Sequence, residues 1–147
     1  MSGTLIQVLQ FFASLSLLVL IHEFGHYITA RIFGIRVEKF YLFFNPWFTL
    51  YKRKIGHTEY GIGWLPMGGY VSLAGMIDES MNTEQMKEEP KPWEFRTKPA
   101  WQRLIVMLAG IVMNILLAIT IYTGIIYTTG ESYYHNDDIK HGYTFNE

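Results

Sequence analysis

Between Leu5 and Ile21, and again between Leu104 and Tyr127, the chain carries no charged residue. A helix rises about 1.5 Å per residue, so either stretch covers most or all of the roughly 30 Å of hydrocarbon in a bilayer. A surface helix of a soluble domain keeps one polar face; these stretches keep none that is charged. The class this implies is a membrane protein, mainly α, with transmembrane helices at 1–33 and 104–128. A secretory leader competes for the first segment. No Lys or Arg precedes its apolar run, however, and no small-residue cleavage site closes it.

Composition agrees where it bears on class. Half the residues are hydrophobic (50%) and 16% are aromatic, while the net charge is −1, which gives no reason to expect a nucleic-acid partner. With no cysteine, neither a disulfide framework nor a thiolate metal site is available. Eleven of the twelve Lys and Arg lie between Arg31 and Arg103. The positive-inside rule then puts that middle in the cytoplasm and both termini on the outer side.

The first apolar segment runs into Ile21-His22-Glu23-Phe24-Gly25-His26-Tyr27. His-Glu-x-x-His sets two imidazoles one helical turn apart on one face, where both can reach a single Zn²⁺. His22 and His26 are the candidate metal ligands. Glu23 is the candidate general base, placed to take a proton from an activated water. Two surface histidines and a solvated glutamate would need polar neighbours, and this setting is apolar. Leu5 to His22 covers on the order of 26 Å, which puts the motif inside the membrane near its far face.

Between the two segments the pattern changes. Phe40 to Phe48 is densely aromatic and broken at Asn45-Pro46, suiting a membrane–water boundary or core strands. Lys52-Arg53-Lys54 with Gly56-His57 reads as a solvated turn. Tyr60 to Val71 alternates glycine with large apolar residues, as strand–turn–strand. The region 34–77 is therefore expected to be β-rich and membrane-associated. Residues 78–103 form a polar loop, with Glu84, Lys87, Glu88 and Glu89 solvated and Trp93 and Phe95 docking it on the membrane surface. In the second segment Asn114 needs a partner, which helix packing would supply. Gly110, one turn earlier, allows another element to approach. The tail, 129–147, is polar and acidic; His57, His135 and His141 read as ordinary surface residues.

These residues together resemble the site-2 protease family, in particular its bacterial regulator-of-sigma-E (RseP-type) branch. The likeness rests on His22-Glu23-Phe24-Gly25-His26, on Gly61-Ile62-Gly63 with Leu65 through Val71, on Phe95 through Arg103, and on Ala109 through Asn114. It runs from about Leu5 to Tyr127. It implies an intramembrane Zn²⁺ metalloendopeptidase that cleaves transmembrane segments of membrane-anchored regulators, in a bacterial inner membrane. The glycine-rich stretch corresponds to the family's membrane-associated β-hairpin, which presents substrate as an extended strand, so Gly68 and Gly69 become substrate-binding candidates. Asn114 matches the asparagine of the family's Gly-Pro-x-x-Asn pattern, making it an active-site neighbour; Ile111 stands where that pattern has proline.

The resemblance also implies something this sequence lacks. The family's third zinc ligand is an aspartate on a later membrane helix, and the branch carries PDZ domains after its second span; neither is here. The expectation is an N-terminal piece of a longer protease, inactive or slow alone. A soluble zinc peptidase fails on spacing, since Pro46 falls where one pattern needs glutamate and Thr29 and Ile32 where another needs Gly and His. The rival from another class is a non-catalytic membrane protein that binds substrate helices or a partner. A separate chain supplying the aspartate is a third possibility.

Overall fold

The computed structural model describes residues 3–76 and 89–130. The charged run through Glu84, Lys87 and Glu88, and the tail with Asp137, Asp138, His135 and His141, lie outside the described residues. The element order is α1 (Gly3–Ile32), β1 (Val37–Phe44), β2 (Tyr51–Ile55), β3 (Thr58–Ile62), β4 (Leu65–Leu73), a single 3₁₀ turn (Phe95–Thr97) and α2 (Ala100–Thr129). Residues 1–117 form one compact unit; in the second, 118–147, the described part is helical to Thr129.

Both helices are long and apolar enough to cross a membrane, with mean hydropathy 2.1 and 2.7 over their most apolar stretches. Their large side chains stay exposed: Leu9, Phe11 and Leu17 on α1, Leu104, Ile111 and Ile115 on α2. Such unpartnered apolar surface suits lipid better than water. α1 stops at Gly34, whose φ of +67° the residue adopts without a Cβ penalty. There Gly34 N–H donates to Arg31 O (3.2 Å) and Ile35 N–H to Ala30 O (2.8 Å), which satisfies the last carbonyls in a Schellman turn. Ile35 then drops into the core beside Ala30.

The middle of the chain is a four-stranded sheet in the order β2-β3-β1-β4. This corrects the expected hairpin in the glycine-rich stretch. β3 and β4, though nearly adjacent in sequence, do not pair; β1 lies between them, parallel to β3 (Phe40 opposite Tyr60) and antiparallel to β4 (Phe40 opposite Val71). The reason is burial: β1 is the most apolar strand, and its Val37 and Tyr41 are almost inaccessible to solvent. It therefore takes the centre. The hairpin that does form joins β2 to β3 through Gly56 (φ +62°). Lys52-Arg53-Lys54, read as a turn, is an exposed outer strand, and charge on an edge discourages further pairing.

Ala30, Ile35, Val37, Leu73 and Val106 make the core, with Tyr27, Val71, Met76 and Phe95 packed around it. A buried aliphatic side chain of this size contributes roughly 1.5–3 kcal/mol. Phe95, partly buried, packs on protein against this core. Its N–H donates to Ala74 O (2.7 Å), and Trp93 O accepts from Arg36 N–H (3.0 Å). These bonds bind the segment before α2 to the end of β4 and so fix where α2 starts.

Candidate active site

His22, Glu23 and His26 share one stretch of α1, and the spacing of four brings the two imidazoles together. Their Nε2 atoms stand 3.1 Å apart. What holds them is α2. Gly25, on the adjoining face of α1, has no room for a side chain: a Cβ there would sit 2.5 Å from Ala109 O. The backbones therefore meet, and Gly110 comes directly under the histidines. A Cβ on Gly110 would lie 2.6 Å from both Nε2 atoms. Two glycines on two helices thus create the space into which both ring nitrogens point.

Each imidazole is oriented from behind. His26 Nδ1 lies 2.7 Å from Val106 O. A carbonyl can only accept, so Nδ1 carries the proton and the Nε2 lone pair is left for a ligand. Asn114 Nδ2 lies 3.4 Å from His22 Nδ1, and Asn114 Oδ1 is buried without a hydrogen-bond partner. A half-turn of the amide, whose two ends are nearly isosteric, puts the orphaned oxygen on a His22 Nδ1–H and frees its Nε2 as well.

The arrangement fits a zinc ion. Two nitrogens each about 2.0–2.1 Å from one tetrahedral ion stand roughly 3.3–3.4 Å apart, close to the 3.1 Å found here. Among the described residues no group of three His, Cys, Asp or Glu side chains gathers at one point, so these two imidazoles are a partial donor set.

The site opens into a cleft of about 480 Å³ lined by His22, Glu23, His26, Gly69, Val106 and Met107, among others. β4 forms its wall. Gly69 is pressed between β1 and α1: a Cβ would meet Tyr41 O at 2.7 Å and, on α1, Val19 Cγ1 at 3.0 Å and Glu23 Cγ at 3.3 Å. Gly68 is placed differently, since a Cβ there would run into the Phe44 ring at 2.6 Å. Of the two substrate-binding candidates, Gly69 lines the cleft and Gly68 lies against the Phe44 ring of β1. Three β4 residues, Pro66 to Gly68, face only Phe43 of β1 in an irregular register. Such bulges bend a strand and end its pairing.

Sequence reasoning missed the Val106 carbonyl, as it must, because any residue offers one. It marked Gly110 as a point of close approach but not what approaches. The distance of four to Asn114 and the match in spacing to His22 and His26 were the available signal.

Fold and site together define a His-Glu-x-x-His pair set on one apolar helix and oriented by a second. Residues 10–145 match the family model described as peptidase family M50, and the chain belongs to that family, the site-2 proteases. It is 33% identical over 109 residues to the zinc metalloprotease Rip1 of Mycolicibacterium smegmatis, covering 73% of this chain and 26% of that protein. To the metalloprotease MmpA of Caulobacter vibrioides it is 32% identical over 143 residues, covering 88% and 36% respectively. The chain spans 19% to 36% of the length of the curated relatives it matches.

Proposed function

We propose that this chain supplies the His-Glu-x-x-His half of a Zn²⁺-dependent intramembrane endopeptidase that cuts transmembrane segments of membrane-anchored regulatory proteins. The observation that carries it is the pair of Nε2 atoms 3.1 Å apart, with His26 held by a backbone carbonyl. His22 and His26 would hold the metal together with an aspartate from a later helix of the complete protease. When bound, zinc supplies Lewis acidity, polarising the scissile carbonyl and lowering the pKa of water.

The chain's own residues do the rest. Glu23 lines the same cleft and takes the proton of the attacking water, then returns it to the leaving amide nitrogen. β4 is the outermost strand on the cleft side of the sheet. A substrate segment unwound from helix to strand adds to that edge by main-chain hydrogen bonds, beside Gly69, where its carbonyl comes within reach of the histidines. Unwinding is necessary because helical peptide bonds are hidden inside their own ladder. Both helices cross the bilayer, the basic middle lies on the cytoplasmic side of a bacterial inner membrane, and both termini lie outside. Partners are then the substrate helix, the lipid bilayer and the C-terminal half with its PDZ domains.

The test is Glu23→Gln in the complete protease, with a model transmembrane substrate and zinc content measured together. Cleavage should fall by about 10²–10⁴-fold with zinc retained. Undiminished cleavage would remove Glu23 from its role. A second reading is a non-catalytic membrane protein that binds substrate helices. It predicts substrate capture without cleavage by the wild-type complete protein.

A further inference from the structure

At the C-terminal end of α1, away from the histidines, lies a hollow of about 560 Å³ lined by Arg31, Gly34, Ile35, Arg36, His57 and Trp93. Two arginines, a histidine and a tryptophan contribute to its lining, and among the described residues no carboxylate-bearing residue does. Lys98 Nζ lies 3.9 Å from where a Cβ on Gly34 would sit, adding a third cation at the rim. Arg36 lines both this hollow and a neighbouring cleft. Its Nε is buried and has no hydrogen-bond partner. A guanidinium N–H withdrawn from water without an acceptor costs on the order of 1–3 kcal/mol, and native structures rarely leave one so. An exposed basic patch would not explain it, because solvated arginines keep their N–H groups in water.

The frame around it is fixed. Gly34 and Ile35 are held by the Schellman turn, and Arg36 is pinned by its own backbone: its N–H donates to Trp93 O (3.0 Å) and its carbonyl accepts from Ala74 N–H (2.9 Å). The carboxylates nearby, Glu38 and Glu59, line a neighbouring cleft that shares Arg36 and His57; Glu59 accepts from the Tyr41 hydroxyl at 2.6 Å. The helix dipole at this end favours the cations and disfavours an anion, so a bound phosphate must be held against it by those cations.

We infer that this hollow binds a phosphate oxyanion, and that its source is the headgroup of an anionic phospholipid. Its position argues for the lipid: the hollow sits where a 30-residue apolar helix ends, which in a bilayer is the headgroup level. Arg36 and Arg31 grip the phosphate as planar donors suited to it, and Trp93 supplies the amphipathic ring favoured at that depth. The lipid assignment rests on the membrane reading above.

The test is native mass spectrometry of the chain from nanodiscs holding phosphatidylglycerol and phosphatidylcholine in equal amounts, for wild type, Arg31→Gln, Arg36→Gln and Lys98→Gln. Phosphatidylglycerol should be retained in preference, and each lost cation should lower that preference about fivefold. Arg31 is exposed, so its variant keeps the fold even if Arg36→Gln does not. Equal retention of the two lipids, or wild-type preference in Arg31→Gln and Lys98→Gln, overturns the site. If inorganic phosphate raises the melting temperature as much as phosphatidylglycerol does, the ligand is the free anion and the lipid assignment falls. A chain that stays monomeric without detergent and retains neither lipid instead overturns the membrane reading.

Discussion

Replacing Gly110 by alanine tests the convergence of the two helices on the histidines. The new methyl carbon would stand 2.6 Å from both Nε2 atoms and 2.7 Å from His22 Cε1. Ordinary contact is about 3.5 Å, so each ring must retreat by roughly 0.9 Å, or α2 must withdraw from α1 by that amount. Withdrawal is resisted at Gly25, already against the Ala109 carbonyl, because it breaks that packing and pulls the Val106 carbonyl from His26. Metal sites tolerate errors of about 0.2 Å in ligand position. A displacement several times larger should cost zinc affinity at least on the order of 10–100-fold, the range seen when only an outer partner is lost. Overpacking adds about 1–3 kcal/mol of destabilisation, so affinity and melting temperature must be read together. Competition against a chromophoric chelator gives the first, and circular dichroism the second. Gly124→Ala on the same helix is the control, since a Cβ there meets nothing; it should gain about 0.5–1 kcal/mol. Gly110→Ala with unchanged zinc affinity and intact helix content would refute the site as drawn.

Two other outcomes follow from single contacts. Asn114→Leu should lower zinc affinity by about tenfold, whereas Asn114→Asp, which keeps an acceptor for His22 Nδ1–H, should restore most of it; equal losses in the two variants would refute the orienting role. Burial pushes the Tyr41 hydroxyl up to about 12, helped by the hydrogen bond it donates to Glu59. Its folded value lies above the unfolded one of about 10, so its contribution to stability is complete below pH 10 and is lost as pH rises towards 12. Tyr41→Phe should flatten the fall in melting temperature across that window, and an identical alkaline profile would show that other groups cause it.

What could be read from the sequence depended on how local each signal was. The two apolar helices and the paired histidines are written in short-range spacing, and one turn of helix is enough to bring His22 to His26. The sheet was misjudged because Tyr60 to Val71 contains every local ingredient of a hairpin. Pairing was decided instead by a strand twenty residues upstream, whose aromatic run had more to gain from the centre than β3 and β4 had from each other. Lys52 to Lys54 misled for a related reason: an outer strand facing solvent has the composition of a loop. Asn114 could be placed near the site only through the family's pattern, since nothing in an apolar helix says which polar side chain faces a histidine and which a lipid.

The contacts that orient the histidines are also separated in time. Val106 follows His26 by 80 positions, and Asn114 follows His22 by 92. At about 5–20 residues per second of synthesis, roughly 4–16 s pass after His26 is made before its orienting carbonyl exists. During that interval α1 and the whole sheet can be in place while the imidazoles still turn freely, poorly set to capture a metal. The orientation of the two histidines is therefore set late, by the order in which the chain itself is made.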